Sequence, residues 1–481
     1  MFLRSGVLSL SGTLLRAGVQ IAANLVVARI LGPEHYGQAA VVLGLSVVLE
    51  LVRSGGFASV VLRSGDQPVA VLAALHRMSA LAGLALGLVV ASVGIAFLTL
   101  APEDPYGVLL LTIAVAFPIS GTAAVPIATM VQRSEMGRVV AVESTAAVVG
   151  AVIAVALAVA GAGPLAVIAQ VVVMWIIVGV GITMLRRVPW VPRDDVAPWS
   201  TVRPMVGLAV DVSLVQVISM VSRTGDRVLA IALFGPAASG FWTQANQLVS
   251  MPLDQVGAAV QRIAVPALAA AGSAKLLDRS RQFVAATTLL VWPVLALLGV
   301  LAEDVVGLLF GPTWRSTADL VPFIAVAGAA QALGCVPVWF FVSSGRVRAQ
   351  VRWVLVAQPV TVLALVVGSV WGVRGMAIGS AAAAVSLVLP SFAVALRGSG
   401  LSTWRVVSAA GPAALVASVA GGSAWLAQSV APTDAFSAVL VPAVSGLLTG
   451  CLAAVAFPSS RGWLRTRSRL RTPESEAAAT R

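Results

Sequence analysis

The sequence predicts an all-α polytopic membrane protein of about fourteen transmembrane helices, arranged as two pseudo-symmetric six-helix lobes plus two C-terminal helices. Three observations carry this: a strongly apolar composition, basic charge that alternates from loop to loop, and a Gly-Pro motif that returns in the second half.

Of 481 residues, 59% are hydrophobic and 10% are charged, with a mean hydropathy of +0.98. A soluble domain carries about 25% charged residues, so the chain cannot be read as a soluble fold. Apolar runs of bilayer-crossing length recur at roughly 5–31, 38–62, 78–101, 106–131, 138–161, 163–185, 204–234, 240–268, 282–302, 317–342, 353–371, 374–396, 406–428 and 435–457. The first run is too long for a cleavable signal and contains Arg16 and Arg29, so it is expected to remain as a membrane helix. Cys335 and Cys451 lie inside apolar runs, where packed core thiols are expected, and no disulfide framework or zinc site is encoded.

The net charge of +12 is distributed in a way that excludes nucleic acid as a partner and fits a membrane topology. With the N-terminus inside, 23 of the 31 basic residues fall in cytoplasmic segments, while the opposite loops hold only Arg315 and Arg374 together with acids such as Glu34, Glu103, Glu303 and Asp434. Both termini are therefore expected in the cytoplasm, in a cell membrane crossed many times. The expected domains are an N-terminal lobe at 1–185, a basic cytoplasmic linker at 186–203 and a C-terminal lobe at 204–396. Two further helices at 397–457 and a basic cytoplasmic tail at 458–481 complete the chain.

The division into halves rests on a repeat. "ARILGPEHYGQAA" at 28–40 returns as "IALFGPAASGFWTQA" at 231–245, so Gly32, Pro33 and Gly37 recur as Gly235, Pro236 and Gly240. Proline cannot continue a helix and glycine permits a tight turn, so each copy marks the short external connection between the first two helices of a lobe.

The remaining six basic residues, Arg16, Arg29, Arg53, Arg223, Arg227 and Arg262, fall inside segments one, two, seven and eight. Positions three or four apart share a helix face, and polar residues there form stripes. Ser9, Thr13, Arg16, Gln20 and Asn24 line segment one, and Ser46, Glu50, Arg53 and Ser54 line segment two. Gln216, Ser219, Arg223, Asp226 and Arg227 line segment seven. Gln247, Ser250, Asp254 and Gln261 line segment eight, with Arg262 at the edge of that stripe. Charge at the bilayer centre costs about 2.5–3.5 kcal/mol on insertion scales, so these residues should face a bundle interior or a wet cavity. Interhelical ion pairing is the bland alternative, with Glu50 on Arg53, Asp226 on Arg223 or Arg227, and Asp254 on Arg262; Arg29 and Arg227 could snorkel to an interface. Arg16 has no acidic residue in its own helix, which favours a cavity role. Guanidinium groups suit bidentate contacts with phosphate oxygens, and the amides and hydroxyls between them suit sugars.

The stretches "AANLVVARILGPEHYGQAAVV", "DRVLAIALFGPAASGFWTQANQL" and "DVVGLLFGPTW" resemble the Wzx-type polysaccharide flippases of the multidrug/oligosaccharidyl-lipid/polysaccharide (MOP) exporter superfamily. The resemblance implies transfer of an undecaprenyl-diphosphate-linked oligosaccharide across the cytoplasmic membrane by alternating access, without enzymatic chemistry. It would place Arg16, Arg53, Arg223 and Arg262 on the diphosphate, with Thr13, Gln20, Asn24, Gln216 and Gln247 as polar cavity residues. Glu50, Asp211, Asp226 and Asp254 are candidates for proton or sodium coupling. No cofactor or metal is expected, and no phosphate-binding G-x-x-x-x-G-K-[ST] loop is present. Expected partners are the lipid-linked oligosaccharide and the membrane, with a polysaccharide polymerase and glycosyltransferases as candidates. The alternatives are a MATE-like drug exporter, a peptidoglycan lipid-precursor flippase and, in another class, a membrane-embedded glycosyltransferase or ligase. Against the last, the external loops are short and His35 and His76 are far apart in the chain.

Overall fold

The computed structural model describes residues 2–54, 56–63, 67–185, 196–271, 273–429 and 435–456. Among these residues the fold is entirely helical. The helices are α1 (Phe2–Ser54), α2 (Gly56–Arg63), α3 (Val69–Leu100), α4 (Tyr106–Ala114), α5 (Ala116–Gln132), α6 (Met136–Val159), α7 (Leu165–Leu185), α8 (Trp199–Phe234) and α9 (Pro236–Ala269). They continue as α10 (Ser273–Val300), α11 (Ala302–Phe310), α12 (Arg315–Ser343), α13 (Val347–Ser369), α14 (Gly372–Ala395), α15 (Thr403–Val407), α16 (Gly411–Gln428) and α17 (Ala435–Ala456). Ten spans among the described residues are long and apolar enough to cross a membrane. The more polar α1, α8 and α9 have 53, 36 and 34 residues, and α1 is two helical arms joined by a kink.

Backbone satisfaction explains why these apolar runs are helices: in hydrocarbon each N–H and C=O must be paired within the segment. Their outer faces are apolar as well, with Leu81, Leu88, Val152, Leu355, Leu363 and Leu452 all exposed. Such a surface would aggregate in water and is suited to lipid. Cys451 corrects one expectation, because it is exposed on α17, whereas Cys335 packs half-buried beside a cluster containing Phe283, Trp339 and Phe392. A membrane helix has an apolar outer face, so an apolar run does not by itself place a residue in the core. The short α11 and α15 also occupy stretches read from sequence as loop. Glu303 and Asp304 in the first turn of α11 complement its N-terminal dipole.

The chain forms two compact units, Met1–Gly240 and Phe241–Arg481. In the first, Val60, Val61, Leu75, Val125 and Val202 bring α2, α3, α5 and α8 together. Small residues allow α3 and α5 to approach closely: the Ser79 hydroxyl donates to the carbonyl of Gly121 at 2.8 Å, and a Cβ on Gly83 would fall 2.6 Å from the carbonyl oxygen of Phe117. In the second unit, α16 packs on α10 through Leu297, Ala420 and Ala424, and Gln428 donates to Asp304 at 2.8 Å. Arg346 donates to the carbonyls of Ala395 and Arg397 at 3.1 and 2.8 Å, satisfying acceptors at the C-terminal end of α14.

The Gly-Pro steps share one geometry. Gly32, Gly235 and Gly311 have φ of 71, 84 and 91° with ψ of 175, 179 and −178°, a region that is essentially restricted to glycine. Proline disfavours the helical conformation in the residue before it and is preorganised to start the next helix, so the pair stops one helix and launches another without a loop. Within the first unit the two copies of the repeat also meet. A Cβ on Gly37 would fall 1.8 Å from the carbonyl oxygen of Pro236, and one on Gly240 would fall 2.2 Å from that of Pro33. Each glycine thus seats the backbone of the other copy's turn.

Two substitutions test this junction. Gly32→Ala forces a side chain into the positive-φ turn and Gly37→Ala drives a methyl into backbone, each expected to cost about 1–3 kcal/mol. Gly18→Ala meets nothing within 4 Å and should leave the thermal midpoint of the purified protein in detergent unchanged or higher. Equal midpoints for all three variants would contradict the reading.

Candidate functional site

The polar stripe of α1 turns inward at each of its described positions. Arg16 Nη1 lies 2.5 Å from Glu143 Oε2 on α6, forming an ion pair between residues 127 apart in sequence. Gln20, one turn on, donates from Nε2 to Met174 Sδ on α7 at 3.7 Å. Asn24, a further turn on, donates from Nδ2 to the Tyr36 hydroxyl at 3.0 Å, across the Gly-Pro kink to the second arm of α1. One turn is about 5.4 Å of rise, so a single face of α1 meets α6, α7 and its own second arm in succession.

Sequence reasoning missed Glu143. It is the only carboxylate in α3 to α7, and such a residue within a membrane helix calls for a partner from another helix. That requirement was the available signal. The pair is not sealed off: the Arg16 side chain is 38% accessible and that of Glu143 is 18%. The arginine is thus charge-compensated while more than a third of its side chain stays accessible.

The other expected site residues fall in different surroundings. Asp226 is half-buried on α8, its Oδ1 accepting from the backbone N–H of Arg227 at 2.8 Å. Gln247 is half-buried on α9, in the second unit, where Asp254 and Arg262 are exposed. The side chains of Thr13, Glu50, Arg53, Asp211, Gln216 and Arg223 lie outside the described residues, as do 186–195 of the basic linker and the tail from 457. His35 faces the carbonyl of Leu31 at 3.2 Å, beside the α6–α7 turn at Gly163.

Ten apolar spans among the described residues make this a many-spanning helical membrane protein, and solved structures share its fold. The lipid II flippase MurJ in an inward closed conformation superposes with a TM-score of 0.70 at 10% identity, covering 97% of this chain and all of that one. An inward-facing MATE family multidrug transporter of the MOP superfamily gives 0.63 at 14% identity over 79% of this chain and 97% of its own. Residues 26–319 match the polysaccharide biosynthesis protein family, and the chain belongs to it. Among its relatives, the succinoglycan biosynthesis transport protein ExoT of Rhizobium meliloti is 26% identical over 329 residues, 67% of this chain and 64% of ExoT. The amylovoran biosynthesis protein AmsL of Erwinia amylovora is 24% identical over 160 residues, 32% of this chain and 40% of AmsL. The chain therefore spans less than two thirds of the length of either relative.

Coupling between Arg16 and Glu143 can be measured directly. A double-mutant cycle with Arg16→Gln and Glu143→Gln on thermal stability is expected to give an interaction of about 0.5–3 kcal/mol. Strict additivity would mean that the contact contributes nothing.

Proposed function

We propose that this chain is a flippase that carries an undecaprenyl-diphosphate-linked oligosaccharide from the cytoplasmic to the outer leaflet for surface polysaccharide synthesis, without performing covalent chemistry. Arg16 carries the reading: a guanidinium midway along the first arm of α1, compensated by Glu143 and still 38% accessible, in a member of a polysaccharide biosynthesis family. Its planar fork matches diphosphate oxygens, and a site of this polarity is ill suited to a cationic drug. Arg53, Arg223 and Arg262 are further candidates for the diphosphate, and Thr13, Gln20, Asn24, Gln216 and Gln247 for the sugar headgroup.

In this proposal the chain crosses the membrane fourteen times, as two six-helix lobes and two added helices, with both termini in the cytoplasm. The lobes alternate access to a midplane site while the polyprenyl tail stays in lipid. Proton or sodium coupling would act through Glu50, Asp211, Asp226 or Asp254, and a polymerase and glycosyltransferases would act on either side of the transfer.

Proteoliposome flipping of lipid-diphosphate oligosaccharides, run beside peptidoglycan precursor and a panel of cationic drugs, tests this reading. Loss of a charge-assisted contact at Arg16→Ala should slow flipping by about tenfold or more, with Arg16→Lys intermediate. Undiminished flipping in Arg16→Ala, or transport of the drugs alone, would overturn it.

A further inference from the structure

Six exposed cations gather at one end of the second unit. Lys275 and Arg281 stand near the start of α10, Arg348 and Arg352 near the start of α13, Arg397 just beyond α14 and Arg405 on α15. One hydrophobic cluster holds these stretches together: Phe283, Phe341, Leu396 and Val406 belong to its core, and Leu277, Ala349 and Leu401 pack against it. Arg346 ties two of them directly. Its donation to the Arg397 carbonyl at 2.8 Å brings the connection after α14 against the turn that leads to Arg348. Asp278 is the only acid in 273–284, 344–354 and 393–408. Among the described residues none of the six cationic side chains makes an ion pair. Like charges held together beside low dielectric repel one another, and they call for anions that these stretches do not supply.

The surface around the cations has the character of a bilayer boundary. On α13 the exposed face passes from Arg348 and Arg352 to Leu355, Val356 and Leu363, with the two leucines 61 and 63% accessible. Charge gives way to apolar surface within one turn, as headgroups give way to acyl chains. On α15 Val406 is buried while Trp404, 70% accessible, stands beside Arg405. An indole next to a guanidinium suits the headgroup level, where an amphipathic ring meets both phases. The preference for basic loops on one side of a membrane accounts for the sign of this charge. It does not account for the collection of the charge on one packed platform bordered by apolar surface.

We propose that this end of the second unit is a docking surface for anionic phospholipid of the surrounding bilayer. Arg348, Arg352 and Arg405 hold the phosphodiester headgroup, which the guanidinium fork matches, and Leu355, Val356 and Leu363 carry the acyl chains. The apolar surface directly below the arginines selects a lipid over a free phosphate. The bound headgroup offsets the repulsion among the cations and so braces the α12–α13 turn against the connection from α14 to α15.

The test uses the full-length protein in dodecyl maltoside, titrated with dioctanoyl-phosphatidylglycerol or dioctanoyl-phosphatidylcholine, with bound lipid counted by native mass spectrometry. At its tightest site the wild type should prefer phosphatidylglycerol by about tenfold or more. Arg348→Gln, Arg352→Gln and Arg405→Gln should each weaken phosphatidylglycerol binding by about fivefold, and together by about a hundredfold. Arg315→Gln, outside the platform, should leave it unchanged. Equal affinity of the wild type for the two lipids overturns the proposal whether or not the variants fold. So does wild-type phosphatidylglycerol binding by the triple variant. Displacement of the lipid by equimolar inorganic phosphate would assign the cations to a free anion, and a second copy of the chain bound in place of lipid would assign the surface to self-association; either result overturns the proposal. No transport is measured, so failure here leaves the flippase reading untouched.

Discussion

The intolerance of hydrocarbon for unmatched charge governs the first unit of this protein. Helices α3 to α7 can be almost wholly apolar because the one carboxylate among them, Glu143, meets the guanidinium that α1 brings into the bundle. That ion pair lies on the polar face of α1. Gln20 and Asn24, on the same face, meet α7 and the second arm of α1. A polar stripe that would be a liability against lipid becomes the seam along which α1 joins its neighbours.

A second constraint is steric. Helices that gain little from the hydrophobic effect inside a bilayer depend on close packing, and small residues permit it. The Gly-Pro steps extend this to the turns. Glycine alone tolerates the positive-φ, extended-ψ conformation at residues 32, 235 and 311, and the glycines four residues after Pro33 and Pro236 leave room for the opposing carbonyl. The motif therefore encodes a turn and its docking surface together, which is a physical reason for its appearance in both halves of the chain.

Much of this was legible in the sequence. The apolar runs located spans such as 106–131 against Tyr106–Gln132 and 163–185 against Leu165–Leu185, because bilayer thickness sets both length and composition. Their polar ends escaped: the run at 78–101 falls on Val69–Leu100, and that at 282–302 on a helix that begins at Ser273. Periodicity gave the face on which Arg16, Gln20 and Asn24 lie. It could not give what stands opposite that face, since Glu143 is distant in sequence and only tertiary packing brings it to Arg16. Cys451 escaped for a related reason: hydropathy does not distinguish a helix face turned to lipid from one turned to protein. The short α11 and α15 lie below the length at which an apolar pattern becomes a signal.

The central claim is that the anion site and the ion pair share one guanidinium. Exchanging the charges, Arg16→Glu with Glu143→Arg, tests it most directly. The exchanged protein can keep the pair and hence the fold, but it presents a carboxylate on α1 where the diphosphate is proposed to bind. We expect thermal stability near that of the wild type, above that of either single variant, and loss of flipping of lipid-diphosphate oligosaccharide in proteoliposomes. Wild-type flipping by the exchanged protein would show that the pair serves the fold alone and would contradict the account.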